Sequence, residues 1–196
     1  IENPNLMLEG MPNYRSGVDG LRVSNSTKGG ITFAASTTQN GIHMITVVLG
    51  VEAVDGDPYA RFVATSSLMN YVVRTFVSSI VVKEGDPYGK SKATVMDGKS
   101  ETVLAVAKKD FYIVEKQGSQ AEPKIQFKSD QESFRAPVKS GTNLGKIHYT
   151  DPDKIGRGYL EDQEPTVDMV AGRTIEKSFF LKVWWNEFVR YVNEKL

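Results

Sequence analysis

The sequence predicts an α+β chain in three parts: a strand hairpin plus helix, then a small all-β sandwich, then a C-terminal amphipathic helix. Three observations carry this. Between residues 31 and 76 two apolar runs joined by a turn signal are followed by a segment with helical spacing. Between residues 91 and 171 six short apolar runs alternate with polar turns. The last 23 residues, "TIEKSFFLKVWWNEFVRYVNEKL", contain no helix breaker. The corresponding boundaries are residues 1–82, 83–174 and 175–196.

The hairpin pairs "ITFAAST" with "GIHMITVVLG". "TTQNG" joins them, and Asn40-Gly41 suits a tight turn because both residues tolerate the left-handed conformation. A polar connection, "VEAVDGD", leads to Pro58. Asp57 is placed to cap a helix and Pro58 to fill its first turn. The helix is expected through "YARFVATSSLMNYVVRTF", with Phe62, Thr65, Leu68, Met69, Val72 and Phe76 on one face.

"KEGDPYGK" reads as a loop and linker, punctuated by Gly and Pro. The strands expected beyond it are "SKATVMD", "ETVLAVA", "FYIVE", "PKIQF", "NLGKIHYT" and "TVDMVA". Short strands at this spacing suit a sandwich or barrel. No internal repeat or low-complexity tract interrupts them.

In the terminal segment Leu181, Trp184, Trp185, Phe188 and Val192 share a face, with Phe180 beside it. Lys182, Asn186, Arg190, Asn193 and Glu194 lie opposite or flank it. About 22 helical residues span roughly 33 Å, but a charge every few residues forbids burial in hydrocarbon. The pattern fits a helix lying in the interface of an anionic membrane, where Trp and basic residues suit the headgroup layer. The alternative is a helix docked on the sandwich or on a partner chain.

Composition narrows the functional classes. The 196 residues carry net charge +0, which argues against nucleic acid as a partner, since phosphate binding needs a basic excess. Hydrophobic residues make up 40%, enough for a core. With 0 Cys there are no disulfides and no thiolate metal sites. No apolar run reaches membrane-spanning length. The chain opens at Ile1 with neither an initiator Met nor a signal peptide, and is expected to be a processed or partial chain.

Residues with catalytic potential are few. The 2 histidines, His43 and His148, lie in separate strand patterns without a carboxylate cluster at ligand spacing, so no metal and no cofactor is expected. No Gly-rich phosphate loop occurs. Asp19-Gly20 and the "DGK" at Asp97 read as turns, and "EDQE", Glu161 to Glu164, as a solvated acidic loop. In the stretch "SGVDGLRVSNSTKGGITFAAS", Gly17-Val18-Asp19-Gly20 reads as a turn feeding Leu21. A small-residue loop and a strand from Ile31 to Ser36 follow. Arg22, Val23 and Ser24 stand where reactive groups would be sought.

This stretch, read with its surroundings, carries a resemblance. "NPNLMLEGMPNYRSGVDGL", a short loop, "GGITFAAS", "ITVVLG" and the following helix resemble the low-molecular-weight penicillin-binding proteins, the serine D-Ala-D-Ala carboxypeptidases. "APVKSGTNLGKIHY" and "FFLKVWW" are similar to that family's C-terminal domain and terminal anchor. The resemblance implies that residues 1–82 are an incomplete penicillin-recognising domain and residues 83–174 a stalk. It implies removal of the terminal D-Ala from a peptidoglycan stem peptide through an acyl-serine, on the outer face of the cytoplasmic membrane. It also implies that Arg61, just inside the helix, binds the terminal carboxylate of that peptide.

Two departures stand out. No Ser in the chain has Lys three residues on, and no S-x-N triplet occurs, so the family's nucleophile is absent from these residues. The Lys-Thr-Gly positions read Arg22, Val23 and Ser24: charge is kept, the hydroxyl is lost, and a side chain stands where Gly is expected. Lys139-Ser140-Gly141 imitates Lys-Thr-Gly, but in a polar turn. The chain itself is therefore expected to be inactive. The competing reading is a non-catalytic envelope scaffold or spacer with a membrane-binding helix. An unrelated sugar-binding sandwich has little support, since no aromatic platform appears among the strands. Without upstream helices, one face of the hairpin sheet is expected to stay apolar and exposed, inviting self-association.

Overall fold

The computed structural model describes residues 3–52, 56–120, 122–151, 153–156, 158–159 and 163–195. The chain is mixed helix and sheet, mostly strand. It divides into two compact units, residues 1–79 with 114–119, and residues 80–113 with 120–196. The first unit so ends three residues before the expected boundary and takes in a later segment.

In the first unit, β1 (Val18–Ser26), β2 (Gly30–Gln39) and β3 (Ile42–Val51) form an antiparallel sheet in the order β1-β2-β3. The β2–β3 hairpin turns at Asn40-Gly41, both at positive φ, as the sequence predicts. Helix α1 (Ala60–Thr75) lies on one face of this sheet. Phe33 of β2 meets Phe62 of α1 edge-on, with ring centroids 5.1 Å apart. Ala35, Met44, Val48, Met69 and Met7 complete this core. Each large apolar side chain removed from water contributes about 1.5–3 kcal/mol, so this contact fixes α1 on the sheet.

The buried stripe of α1 is Arg61, Phe62, Thr65 and Met69. Leu68, expected on it, is exposed, because it lies at the edge of the buried stripe. The start of the helix also differs from expectation. Asp57 Oδ1 accepts from Tyr59 N at 2.9 Å, closing a local turn, and the helix begins only at Ala60 with no side-chain cap.

Strand β3 alternates strictly. Ile42, Met44, Thr46 and Val48 are buried, while Ile45, Val47 and Leu49 are exposed at 62%, 54% and 75%. The sheet is thus apolar on both sides but covered on one. The segment before β1 is held down by Arg15, whose guanidinium donates to Asn70 Oδ1 of α1 and Gln39 Oε1 of β2, each at 2.8 Å.

Strands β4 (Phe76–Val82) and β7 (Phe111–Lys116) pair as a ribbon, and the division between the units falls within both. The second unit is built on a six-stranded sheet, in the order β8-β10-β11-β6-β5-β9. Its strands are β5 (Pro87–Met96), β6 (Thr102–Ala107), β8 (Lys124–Ser129), β9 (Phe134–Arg135), β10 (Asn143–Thr150) and β11 (Thr166–Ala171). The core is Val103, Ala105, Leu144, Ile147, Tyr149, Val167 and Met169, joined by Val82, Phe111 and Ile113. Gly145 sits at the β10 irregularity with φ +149, and any Cβ there would strike the Lys128 carbonyl. The expected linker "KEGDPYGK" is shorter than its composition suggested, since Pro87 to Lys90 already belong to β5.

Helix α2 (Phe180–Lys195) starts about six residues later than its pattern suggested. Ile175 is buried and bridges Val138, and Lys177 bridges Gly98. Ser178 N donates to Asp97 O at 2.8 Å. Residues 174–178 are therefore extended chain tied to the sheet unit, and only Phe179 separates that tie from the helix. Helix α2 is too short and polar to cross a membrane, and so is α1.

Candidate functional site

Strand β1 carries the three positions of interest. Val18 to Gly20, expected as a turn, belong to it, and the small-residue loop contracts to Thr27–Gly29, closed by Gly29 N donating to Ser26 Oγ at 2.7 Å. The backbone ladder with β2 overrides the turn chemistry of Asp19-Gly20. β1 is an edge strand, with β2 on one side only.

Register assigns the faces. Val23 lies opposite Phe33 and packs against the α1-side core. Arg22 lies opposite Ala34 and Ser24 opposite Thr32, on the other face, which also holds Ile45 and Val47 through the β2–β3 pairing. Both Arg22 and Ser24 are exposed. Of the three positions, then, two present side chains to the open face and one supports the core. Asp19 Oδ1 accepts from Ser36 Oγ on β2 and steadies the start of this strand.

Arg61 is 5% exposed and reaches from α1 to the far end of β1. Its Nη1 donates to Ser24 O and to Thr32 O, each at 3.1 Å, and Nη2 donates to Asn25 Oδ1. Burial pushes its pKa down, as it does that of Arg15, but both guanidinium groups stay charged at neutral pH. Charge-assisted bonds to backbone carbonyls make Arg61 a clamp on the β1–β2 strand ends. Sequence reasoning singled out Arg61 but not Asn25 or Thr32. Two of its three acceptors are backbone carbonyls, which leave no trace in residue type.

The remaining candidates are dispersed. His43 is exposed on β3 and His148 half-buried on β10. Among the described residues no group of three or more His, Asp or Glu could hold a metal ion. Asp97 takes positive φ in the turn after β5, and Arg135 Nε donates to its Oδ2 at 3.3 Å. Lys139-Ser140-Gly141 is a turn: Ser140 N bonds Thr174 Oγ1 at 3.0 Å and Gly141 N bonds Ala171 O at 2.9 Å. Of the acidic loop, Glu161 and Asp162 lie outside the described residues; Glu164 accepts from Thr150 Oγ1 at 2.8 Å.

The second candidate surface is α2. Phe180, Leu181, Trp184, Trp185 and Phe188 are all exposed, at 48% to 67%, and Val192 is half-buried. Trp184 stacks on Phe188 with centroids 6.0 Å apart. These aromatic residues touch one another along the helix but do not enter either core.

Comparison with known proteins assigns this architecture. Residues 76–177 match the family described as penicillin-binding protein 5, C-terminal domain. D-alanyl-D-alanine carboxypeptidase DacA of Haemophilus influenzae is 27% identical over 133 residues, covering 67% of this chain and 32% of that protein. DacD of Salmonella typhimurium is 21% identical over 138 residues, 70% of this chain and 34% of the relative. Among solved structures, a peptidoglycan synthesis regulatory factor (PBP3) from Streptococcus pneumoniae superposes with TM-score 0.84 at 45% identity. It covers 90% of this chain and 48% of that one. Penicillin-binding protein 5 from Haemophilus influenzae superposes with TM-score 0.57 at 22% identity, over 82% of this chain and 43% of that one. The chain belongs to the penicillin-binding protein 5 C-terminal domain family. It spans about a third of the curated relatives it matches.

The clamp yields a prediction. Arg61→Met should destabilise the first unit by about 1–3 kcal/mol, the cost of leaving a buried acceptor unpaired. Amide exchange should speed up in β1 more than in β3. Uniform exchange across the sheet in the variant would contradict the clamp.

Proposed function

We propose that the chain is the C-terminal part of a D-Ala-D-Ala carboxypeptidase-type penicillin-binding protein that trims peptidoglycan stem peptides outside the cytoplasmic membrane. The observation that carries this reading is the likeness to the pneumococcal protein, at 45% identity over 90% of this chain, both units included. In this reading β1 is the strand that lies along the peptide, Arg22 supplies positive charge toward its carboxylate, and Ser24 replaces the glycine beside it. Val23 brings no hydroxyl, and its side chain faces the α1-side core. Arg61 would meet the peptide carboxylate only by releasing Ser24 O or Thr32 O, so its first role is to hold β1.

The 196 residues themselves are inactive in this account. Acylation needs a serine whose proton a nearby lysine helps remove, and the S-x-x-K pattern does not occur among them. Incubation with a labelled β-lactam followed by intact-mass measurement should give no adduct. A stoichiometric acyl adduct would overturn the proposal.

The open face of the first unit supports self-association. Ile45, Val47 and Leu49 form an exposed apolar row on an edge strand that carries no Lys or Pro to block pairing. Sedimentation velocity should show concentration-dependent dimerisation that Ile45→Lys with Val47→Lys removes. A parent that stays monomeric at high concentration would count against it.

Helix α2 is proposed as a peripheral membrane anchor, with the strand-rich unit as a stalk above it. What favours this over the docked alternative is that its aromatic residues lie exposed. Each large side chain immersed in the interface contributes up to about 1.5–3 kcal/mol, so several together outweigh the cost of holding a surface helix. Trp184→Glu with Trp185→Glu should abolish flotation with anionic vesicles while leaving the strand-rich unit folded. A double variant that floats like the parent would make α2 a packing element instead.

A further inference from the structure

The tie between α2 and the sheet unit has a consequence for what touches the lipid. Residues 174–178 are bridged to the turn after β5 and to Val138, so the sheet unit cannot swing freely away from the helix start. Lys177 precedes Phe180 by three residues, at most about 10 Å of extended chain. Lys99 is carried to the same place, because its N–H donates to Glu176 O at 2.9 Å.

Both lysines are exposed, and neither has an ion-pair partner among the described residues. Lys182 in the first turn of α2 adds a third such cation. The acids nearby are Glu176, Glu101 and Asp97, and Asp97 is buried and held by Arg135. Lys99, Lys177 and Lys182 therefore lie near the root of the helix outside any ion pair among the described residues, beside the exposed acids Glu176 and Glu101.

We propose that Lys99 and Lys177 form a second membrane contact, a collar on the sheet unit that binds anionic lipid headgroups when α2 lies in the interface. The inference rests on the anchor reading of α2. Helix immersion brings its N-terminus to headgroup level. Charges within about 10 Å of that level are inside one Debye length and feel the surface potential. The apolar stripe then supplies lipid-independent affinity and the collar supplies preference for anionic lipid. With the unit touching the surface at two places, its direction relative to the bilayer is set as well as its distance.

The test uses the full chain and two vesicle types, pure phosphatidylcholine and a mixture with phosphatidylglycerol. Lys99→Gln with Lys177→Gln should lower affinity for the anionic vesicles by about fivefold for each charge removed and leave binding to the neutral vesicles unchanged. Lys108→Gln with Lys109→Gln, beyond the opposite end of β6, removes the same charge and should have little effect. Equal losses in the two pairs would mean that only net charge matters and would overturn the collar. Undiminished binding by the Lys99/Lys177 variant would also overturn it, while leaving the anchor intact if the Trp184/Trp185 variant fails to bind. A parent chain that binds neither vesicle type would overturn both.

Discussion

Strand β3 is apolar on both of its faces, and helix α1 can cover only one. The buried set, Met44 and Val48, packs with Phe33 and Phe62 and holds the first unit together. The other set, Ile45, Val47 and Leu49, faces outward. An antiparallel sheet commonly leaves one face to water, but that face is then polar; here it carries large apolar side chains of the kind that mark an interaction surface. Helix α2 poses the same question at the other end of the chain, with seven large hydrophobic side chains exposed along one helix among the described residues. Both surfaces leave large apolar side chains in water; a second copy is the proposed cover for one and an anionic bilayer for the other.

Between these surfaces the chemistry is sparse and local. Arg61 brings a buried positive charge to the point where β1 and β2 end, and answers it with the Ser24 and Thr32 carbonyls and the Asn25 side chain. An uncompensated buried charge would be costly; here the bonds to Ser24 and Asn25 also fix an edge strand that would otherwise be held by one ladder, and the bond to Thr32 joins that strand to β2. The result is a firmly positioned β1 whose side chains, Arg22 and Ser24, face an open surface. The family match begins at residue 76 and so leaves β1 outside it; that β1 lies along a peptide, with Arg22, Val23 and Ser24 in place of Lys-Thr-Gly, is the proposed reading of this strand.

Much of the fold was legible because local and tertiary preferences agree. Asn40-Gly41 dictates its turn, and six runs from "SKATVMD" to "TVDMVA" become strands within a few residues of expectation. Disagreement appeared where distant partners intervene. Thr174 to Ser178 read as helix because nothing in their composition forbids it, yet Ile175 finds a buried place beside Val138 and the backbone is drawn into bridges. Val18 to Gly20 read as a turn, yet the ladder with Ser36 and Thr37 keeps them extended. The candidate site was legible by position only. The sequence marked Arg22, Val23, Ser24 and Arg61, but the partition of their side chains between two faces depends on register. The grip of Arg61 depends on carbonyls that no sequence pattern records.

The 2 tryptophans of the chain, Trp184 and Trp185, both lie on α2, so intrinsic tryptophan fluorescence reports on this helix alone. Both are more than half exposed, at 61% and 58%, and should emit as hydrated indoles in buffer. Titration with anionic vesicles should move the emission to shorter wavelength, and lipids brominated near the headgroup end of the acyl chain should quench it more than lipids brominated near the chain terminus. Emission that stays at the hydrated position through the titration, unquenched by either lipid, would contradict the membrane assignment on which the functional account turns.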